Sequence, residues 1–226
     1  MATTKPDAAS AAQRPADYLT AIGSDLLLPL YDPVLRWIMR EAAFKGRLIA
    51  GARIDPRMRV LDLGCGTATL TMMIKQAQPA ATVVGLDGDA VVLARARRKI
   101  AAAGIDVHLE LGLADSLPFD GQSFDRVLSS LVLHHLRHDV KLRALREVWR
   151  VLKPGGGVHV VDFGPQSHLR SWVARHFHHH ERVDDNLQGR LPALLSESGF
   201  GDVEECGTHR TLVGSLSFYR ACKPGG

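Results

Sequence analysis

The pattern of apolar and polar positions divides the chain into short apolar runs and longer segments between them. Short runs rich in Val and Leu predict five strands, at residues 58–63, 82–87, 107–111, 125–132 and 157–163. The segments between them carry helix formers and predict helices at 67–78, 89–103 and 139–152. Strands that alternate with helices in this way form parallel βαβ units, so the pattern predicts an α/β fold with a doubly wound sheet.

The order of elements changes after the fifth strand. Helical segments at 168–182 and 187–198 are followed by strand-like segments at 203–208 and 211–221. The last two segments predict an antiparallel hairpin, which can complete the edge of a parallel sheet. We therefore expect a mostly parallel, seven-stranded, Rossmann-like sheet with an antiparallel edge hairpin.

Local signals mark the ends of the predicted helices. Asp89 and Asp139 stand at the starts of the second and third helices, where Asp is a favoured N-cap. Gly104 ends one of these helices, and the glycine run at 153–157 ends the other. We expect the run at 153–157 to form a loop that leads into the fifth strand.

Composition and charge narrow the choice of protein class. The 226 residues are 46% hydrophobic and 23% charged, which fits one globular core. The net charge is +4, but Lys and Arg are scattered, so nucleic acid is not an expected partner. Three cysteines without paired spacing favour a reducing, cytoplasmic location. Residues 1–15 lack an apolar core and predict a disordered tail, and no apolar run reaches the roughly 18 residues of a membrane span.

A glycine turn follows the first predicted strand directly. Gly64 and Gly66 lie between this strand and a helix, which is the layout of a nucleotide-binding crevice at the carboxyl end of a sheet. Glycine lets the backbone approach a ligand closely, and the helix start presents free N–H groups. Asp62, on the strand, adds a carboxylate that can receive an ammonium group.

An acid ends the second predicted strand. Asp87 follows Gly66 by 21 residues, close to the ~20 expected of a carboxylate that binds ribose hydroxyls. The alternative is that Asp87 is only a turn acid. A dinucleotide site would have glycine or alanine three residues after Gly66, and Thr69 at that position disfavours a hydride-transfer enzyme.

Four stretches of the chain resemble the class I S-adenosylmethionine-dependent methyltransferases. The similarity is to the branch of the ubiquinone/menaquinone C-methyltransferases and related small-molecule enzymes, and it covers roughly residues 31–223. The stretches are 60–70 (VLDLGCGTATL), 85–89 (GLDGD), 112–132 (GLADSLPFDGQSFDRVLSSLV) and 147–163 (EVWRVLKPGGGVHVVDF).

The resemblance implies a binding site for S-adenosylmethionine. It places Gly64 and Gly66 on the methionine moiety and Asp87, followed by Gly88, on the ribose. Leu113 and Ala114 would pack on adenine. Leu113 replaces the usual acidic or amide residue, which leaves backbone carbonyls or Asp115 for the adenine amine. Ala68 stands where a third glycine is usual, and alanine is tolerated there provided that its φ stays negative.

Two histidines follow the fourth predicted strand, where ligands of such folds bind. His134 or His135 could act as a general base for the methyl acceptor. The alternatives are a wall of the cofactor pocket or a local cap. Ser129 and Ser130 are predicted to line the cofactor pocket. Asp162, at the end of the fifth strand, could face the acceptor or pair with an Arg.

The apolar segment 26–39 resembles the N-terminal lid of the same family. We therefore divide the chain into the tail, a helical lid at 16–56 and a methyltransferase domain at 57–226. Tyr31 and Trp37 would help to close over the cofactor and a largely apolar acceptor. The competing interpretation is an amphipathic helix that contacts a membrane surface transiently, which would suit a lipid or quinone acceptor.

The run 176–181 (HFHHHE) contains His176 and His180 at a spacing that could place both on one helical face. No further strong ligand is evident besides Glu181, and the family needs no metal for methyl transfer. We expect a substrate-facing or solvated basic stretch rather than a metal site.

The leading hypothesis is methyl transfer to a small molecule, with carbon, oxygen or nitrogen as the acceptor atom. A nucleic-acid methyltransferase would carry an Asp/Asn-Pro-Pro-aromatic segment after the fourth strand, where this chain has Ser-Ser-Leu-Val at 129–132. A cofactor-binding sensor or scaffold without turnover is the second alternative, because the cofactor half of the site is better marked than the acceptor half.

Overall fold

The computed structural model describes residues 41–165, 180–211 and 214–225. Its strands are β1 (Arg59–Leu63), β2 (Thr82–Asp87), β3 (His108–Leu111), β4 (Phe124–Ser130), β5 (Leu152–Phe163), β6 (Gly201–Arg210) and β7 (Ser215–Cys222). Its α-helices are α1 (Glu41–Ala52), α2 (Thr69–Ala77), α3 (Ala90–Ala103), α4 (His138–Val151), α5 (His180–Leu187) and α6 (Leu191–Glu197). A 3₁₀ turn spans Leu133–His135. The predictions for the tail, Tyr31 and Trp37 lie outside the described residues, as do those for 168–179.

The strands of the described residues form one seven-stranded sheet in the order β3-β2-β1-β4-β5-β7-β6. Strands β1 to β5 pair in parallel, and β7 pairs antiparallel with both β5 and β6. The predicted fold and its antiparallel edge hairpin are therefore confirmed. The strand order reverses between β1 and β4, and ligands of open α/β sheets bind in the crevice at such a point.

Helices cover both faces of the sheet, which explains why its strands are nearly continuous apolar runs. Successive residues of a strand face opposite sides, so Leu61 packs with one set of helices and Val60 with the other. Helices α4 and α6 cover the first face, and α1 and α2 cover the second. Helix α1 comes from the predicted lid, and its Phe44 is fully buried against the sheet. None of the helices in the described ranges is both long and apolar enough to span a membrane.

Several element boundaries differ from the predicted ones. Strand β4 ends at Ser130, before the predicted end at residue 132, because Leu131 adopts a φ of +59°. The glycine run at 153–157 is the irregular start of β5 and not a loop. The helix predicted at 187–198 is shorter, as α6, and α5 continues to Leu187, beyond the end at residue 182 predicted for the preceding helix; Gly189, with a φ of +70°, lies between α5 and α6.

The predicted helix caps differ in outcome. Asp89 is the N-cap of α3, and its side chain accepts hydrogen bonds from the Val91 and Val92 N–H groups. Gly104 ends α3 with a φ of +62°, as expected. The N-cap prediction for Asp139 is wrong, because α4 begins at His138 and Asp139 lies in its first turn.

Candidate functional site

The glycine turn joins β1 to α2 and lies against the segment that follows β4. Gly64 has a φ of +69°, and a Cβ there would lie 2.5 Å from Cγ2 of Val132. Gly66 has a φ of +55°, but a Cβ there would meet no heavy atom within 4 Å. Gly64 is therefore required by the protein's own packing, whereas Gly66 borders open space in which a ligand can approach the backbone.

Ala68, which stands where a third glycine is usual, has a backbone conformation that differs from the expected one. Ala68 has a φ of +59°, so the condition of a negative φ at this position is not met. The left-handed conformation costs an alanine about 1 kcal/mol. The Ala68 side chain is fully buried in a cluster with Leu93 of α3, so packing stabilises the turn around it.

Asp87 connects the end of β2 to the glycine turn. Its Oδ2 accepts a hydrogen bond from the Gly66 N–H at 2.8 Å, and its Oδ1 accepts one from the Asp89 N–H at 2.9 Å, across Gly88. Each carboxylate oxygen has a second lone pair, so these bonds are compatible with ribose hydroxyls as further donors. Asp87 thus performs the structural role of a turn acid and also stands where a ribose-binding acid is predicted.

The predicted adenine-binding segment lies beside Asp87. The Gly112 N–H donates to the Asp87 carbonyl at 3.1 Å, which places Leu113 next to the end of β2. Ala114 packs against the hydrophobic core. Asp115 forms an ion pair with Arg143 at 3.0 Å, so this carboxylate, the side-chain alternative for the adenine amine, already has a cationic partner.

Asp62 is buried beneath the turn on the face covered by α2. Its Oδ2 accepts a hydrogen bond from the Thr71 hydroxyl at 2.6 Å. Burial raises the pKa of Asp62 to about 6, although Thr71 and the charge of Lys45 oppose this shift. A ligand ammonium group beside the carboxylate would favour its ionised form, as the predicted role requires.

The acceptor side of the site is built on the 3₁₀ turn after β4. Nδ1 of His134 lies 2.7 Å from Oδ1 of Asp162, and both side chains are almost fully buried. The His135 ring lies beside that of His134, with 3.9 Å between centroids. The structure therefore brings the two predicted imidazoles together. Within the described residues, the ion-pair partner of Asp162 is His134 and not an Arg, and the alternative that Asp162 faces the acceptor stays a prediction.

Ser129 and Ser130 occupy the carboxyl end of β4, as predicted. In the part of the chain that the structure describes, their hydroxyl groups are buried without a hydrogen-bond partner. Buried hydroxyls are usually paired with protein, water or ligand. Their position and their lack of a partner support the prediction that they line a ligand pocket.

The sequence analysis missed three charged residues near the site, which are Lys99, Lys141 and Asp185. Lys99 of α3 donates to the Thr67 carbonyl at 3.2 Å and to the Thr69 hydroxyl at 2.8 Å, which fastens the glycine turn. Lys141 of α4 is fully buried, and its Nζ lies 3.1 Å from Oδ2 of Asp185 on α5. Lys141 occupies the apolar stripe of α4, and a charged residue at such a position was the signal available in the sequence.

The metal interpretation of the histidine run is not tested by the structure. Residues 176–179 lie outside the described ranges. Among the residues that are described, no cluster of His, Cys, Asp and Glu is arranged to hold a metal ion.

Comparison with known proteins agrees with the geometry. The family described as "Methyltransferase domain" matches residues 60–156. A demethylmenaquinone methyltransferase of Deinococcus radiodurans is 33% identical over 86% of this chain and 84% of its own length. A demethylmenaquinone methyltransferase of Thermus thermophilus is 41% identical over 62% of this chain, and the alignment spans 63% of that protein. An uncharacterised methyltransferase of Synechocystis is 34% identical over 80% of this chain and 83% of its own length.

Solved structures share the fold at lower identity. A methyltransferase of Aquifex aeolicus superposes with a TM-score of 0.66 at 16% identity, covering 87% of this chain and 96% of that one. The [4+2]-cyclase SpnF also gives 0.66 at 21% identity, covering 81% of each chain. Fold and site together define a Rossmann-like methyltransferase. The chain belongs to the class I S-adenosylmethionine-dependent methyltransferase family, and its cofactor is S-adenosylmethionine.

Proposed function

We propose that this protein transfers the methyl group of S-adenosylmethionine to a small, largely apolar acceptor of the quinol or phenol type. The close approach of Val132 to Gly64 carries the proposal, because a Cβ at position 64 would lie 2.5 Å from Cγ2 of Val132. It brings the glycine turn beside the segment that leads into His134, which supports a site in which the cofactor and a histidine base share one crevice. The named activity of the Deinococcus radiodurans relative, which aligns over 84% of its length, supports a quinone-type acceptor.

The residues of the cradle fit the cofactor group by group. The open space at Gly66 admits the methionine moiety to the backbone, and Asp62 offers its carboxylate to the ammonium group. Asp87 and Gly88 receive the ribose, Leu113 and Ala114 pack on adenine, and Ser129 and Ser130 line the pocket. The lid residue Tyr31 is assigned to the cofactor by resemblance alone. When bound, the cofactor supplies a methyl group that is already activated by a sulfonium.

The protein's own contribution is alignment and proton removal. His134 would accept the proton of an acceptor hydroxyl. The electron pair left on the acceptor would form the bond to the methyl carbon while the bond from that carbon to the sulfur breaks, and the sulfur would keep the bonding pair as a neutral thioether. The imidazolium then releases its proton to water, which restores the neutral ring. His135 forms part of the wall beside His134. We expect the lid segment to give the acceptor site apolar surroundings, which would favour an aromatic or lipid-like acceptor.

Two measurements test the proposal. Calorimetric titration with S-adenosylmethionine should show binding, and Asp87→Ala should weaken it by at least ~1 kcal/mol through loss of charge-assisted hydrogen bonds. Asp106→Ala, which removes an exposed acid, is the matched control. Tritiated cofactor with a panel of quinols, phenols, amines and lipids should label a quinol or phenol. Binding without any labelled product would identify a sensor, and absence of binding would reject the cofactor site.

A further inference from the structure

We propose that Asp162 is a positioning residue that holds the proton of His134 on Nδ1 and so leaves Nε2 as the nitrogen that accepts the proton of the acceptor. This inference rests on the proposed function, because it assigns His134 a role in methyl transfer. It concerns a residue that touches the imidazole and not the substrate.

The carboxylate of Asp162 is fixed by hydrogen bonds from two elements. Its Oδ1 lies 2.7 Å from Nδ1 of His134 and accepts the Phe163 N–H at 2.8 Å. Its Oδ2 accepts the backbone N–H of His134 at 3.3 Å. Asp162 is fully buried, so these bonds are shielded from water. The side chain and the backbone of His134 are therefore held by one carboxylate at the end of β5.

The charge state of Asp162 determines the tautomer of His134. Burial opposes ionisation of Asp162, but the His134 ring, its hydrogen bond and the Phe163 N–H hold the pKa of Asp162 below its usual value. An ionised carboxylate can only accept hydrogen bonds, so Nδ1 must donate. In a neutral imidazole the other nitrogen, Nε2, then carries the lone pair.

Charged and titratable groups approach the pair from each neighbouring element. His135 lies on the same 3₁₀ turn, and Tyr219 faces Asp162 from β7. Lys141 approaches from α4, and Asp184 and Asp185 of α5 lie around Lys141. The positive charge of Lys141 is largely offset by its ion pair with Asp185.

Packing restricts the orientation of the imidazole. The Phe163 ring lies edge-on to His134, at 4.8 Å between centroids and 86° between planes. The His135 ring covers another side. Rotation of the imidazole would break the 2.7 Å contact with Asp162 and disturb both aromatic contacts. A proton acceptor that is held in one orientation and one tautomer needs no rearrangement when the acceptor binds.

Asp162→Asn in the full chain tests the inference. An amide can donate its own N–H to Nδ1, so we expect the His134 proton to move to Nε2 and turnover to fall by at least about 100-fold. Affinity for S-adenosylmethionine should stay within about twofold of wild type. Nitrogen-15 chemical shifts of the His134 ring report the tautomer directly.

The control is Asp139→Asn, which makes the same change of charge on an exposed acid and should leave the tautomer and turnover unchanged. Normal turnover in Asp162→Asn, or a His134 proton that stays on Nδ1 in that variant, would overturn the inference. If that variant does not fold, wild-type spectra still decide, because a proton on Nε2 of neutral His134 would be incompatible with the proposed role. Absence of methyl transfer by wild type would reject the proposed function, whereas the ring spectra would still test the link to Asp162.

Discussion

Gly64 and Gly66 have similar backbone conformations but different surroundings. Replacing either by alanine costs about 1 kcal/mol of left-handed strain. A Cβ at position 64 would also lie 2.5 and 2.9 Å from the two methyl carbons of Val132, whereas a Cβ at position 66 would meet nothing within 4 Å. We expect Gly64→Ala to lower the free energy of unfolding by at least ~1 kcal/mol more than Gly66→Ala, measured by urea unfolding without ligand.

The clash can be separated from the strain by a second substitution. Val132→Ala removes the two methyl groups that a Cβ at position 64 would meet. In a double-mutant cycle, Val132→Ala should therefore restore part of the stability lost in Gly64→Ala and none of that lost in Gly66→Ala. Equal losses in the two glycine variants, with no rescue, would show that the turn relaxes away from Val132.

Residues close together in sequence were easier to predict than residues brought together by the sheet. The glycine turn follows directly from a strand, a short loop and a helix that are consecutive in the chain. The partner of Asp162 could not be predicted, because it depends on how β4 and β5 pair in register. The positive φ of Ala68 was also hidden, since alanine ordinarily favours negative φ.

Helix α3 depends on its N-cap in a way that α4 does not. Oδ1 of Asp89 accepts hydrogen bonds from the Val91 N–H at 2.8 Å and from the Val92 N–H at 3.2 Å. Asp89→Ala leaves both donors without this partner and should cost about 1 kcal/mol in the free energy of unfolding. Asp139→Ala is the comparison, because it removes an exposed acid that pairs with Arg143 within α4, and its effect should be smaller. Equal losses by urea unfolding would contradict the assigned cap.

At the scale of elements, Asp89 and Asp139 also show that a sequence signal for a helix start does not fix the residue at which the helix begins. An acid stabilises a helix start both as the N-cap and within the first turn, so the residue type alone does not fix the first helical position. The predicted end of β4 was wrong for a similar reason, because residue type alone did not mark where the strand ends. Leu131 continues the apolar run of the strand, and its N–H still donates to the Val161 carbonyl at 2.9 Å, yet its φ of +59° turns the chain toward His134.

At the scale of the whole molecule, the strand order determines which candidate site residues lie near one another. Four of the candidate residues lie at the carboxyl ends of parallel strands, and therefore at one edge of the sheet. They are Asp62 on β1, Asp87 on β2, Ser129 on β4 and Asp162 on β5. Parallel pairing places their carboxyl ends side by side, so residues separated by up to 100 positions lie along one edge of the sheet. Alternation of strands and helices was sufficient to predict this arrangement, because a doubly wound sheet has few possible topologies.

Burial of Asp62 should link the stability of the whole protein to pH. Its folded pKa of about 6 lies above the ordinary value of 3.8 for an Asp, so the folded protein retains this proton to higher pH than the unfolded chain. The contribution to stability is therefore fully present below about pH 4 and is lost as the pH rises through about 6. The loss amounts to roughly 3 kcal/mol at most, at about 1.4 kcal/mol per pKa unit.

Asp62→Asn tests this link, because the amide resembles the protonated acid and cannot ionise. Between about pH 4 and about pH 7, urea unfolding should show wild type losing stability relative to Asp62→Asn, and the exposed variant Asp106→Asn should follow wild type. Saturating S-adenosylhomocysteine, which carries the same ammonium group, should reduce the relative loss, since that charge favours the ionised carboxylate. Parallel curves for Asp62→Asn and wild type would contradict the raised pKa. A relative loss that persists unchanged with the ligand would instead place the ammonium group away from Asp62.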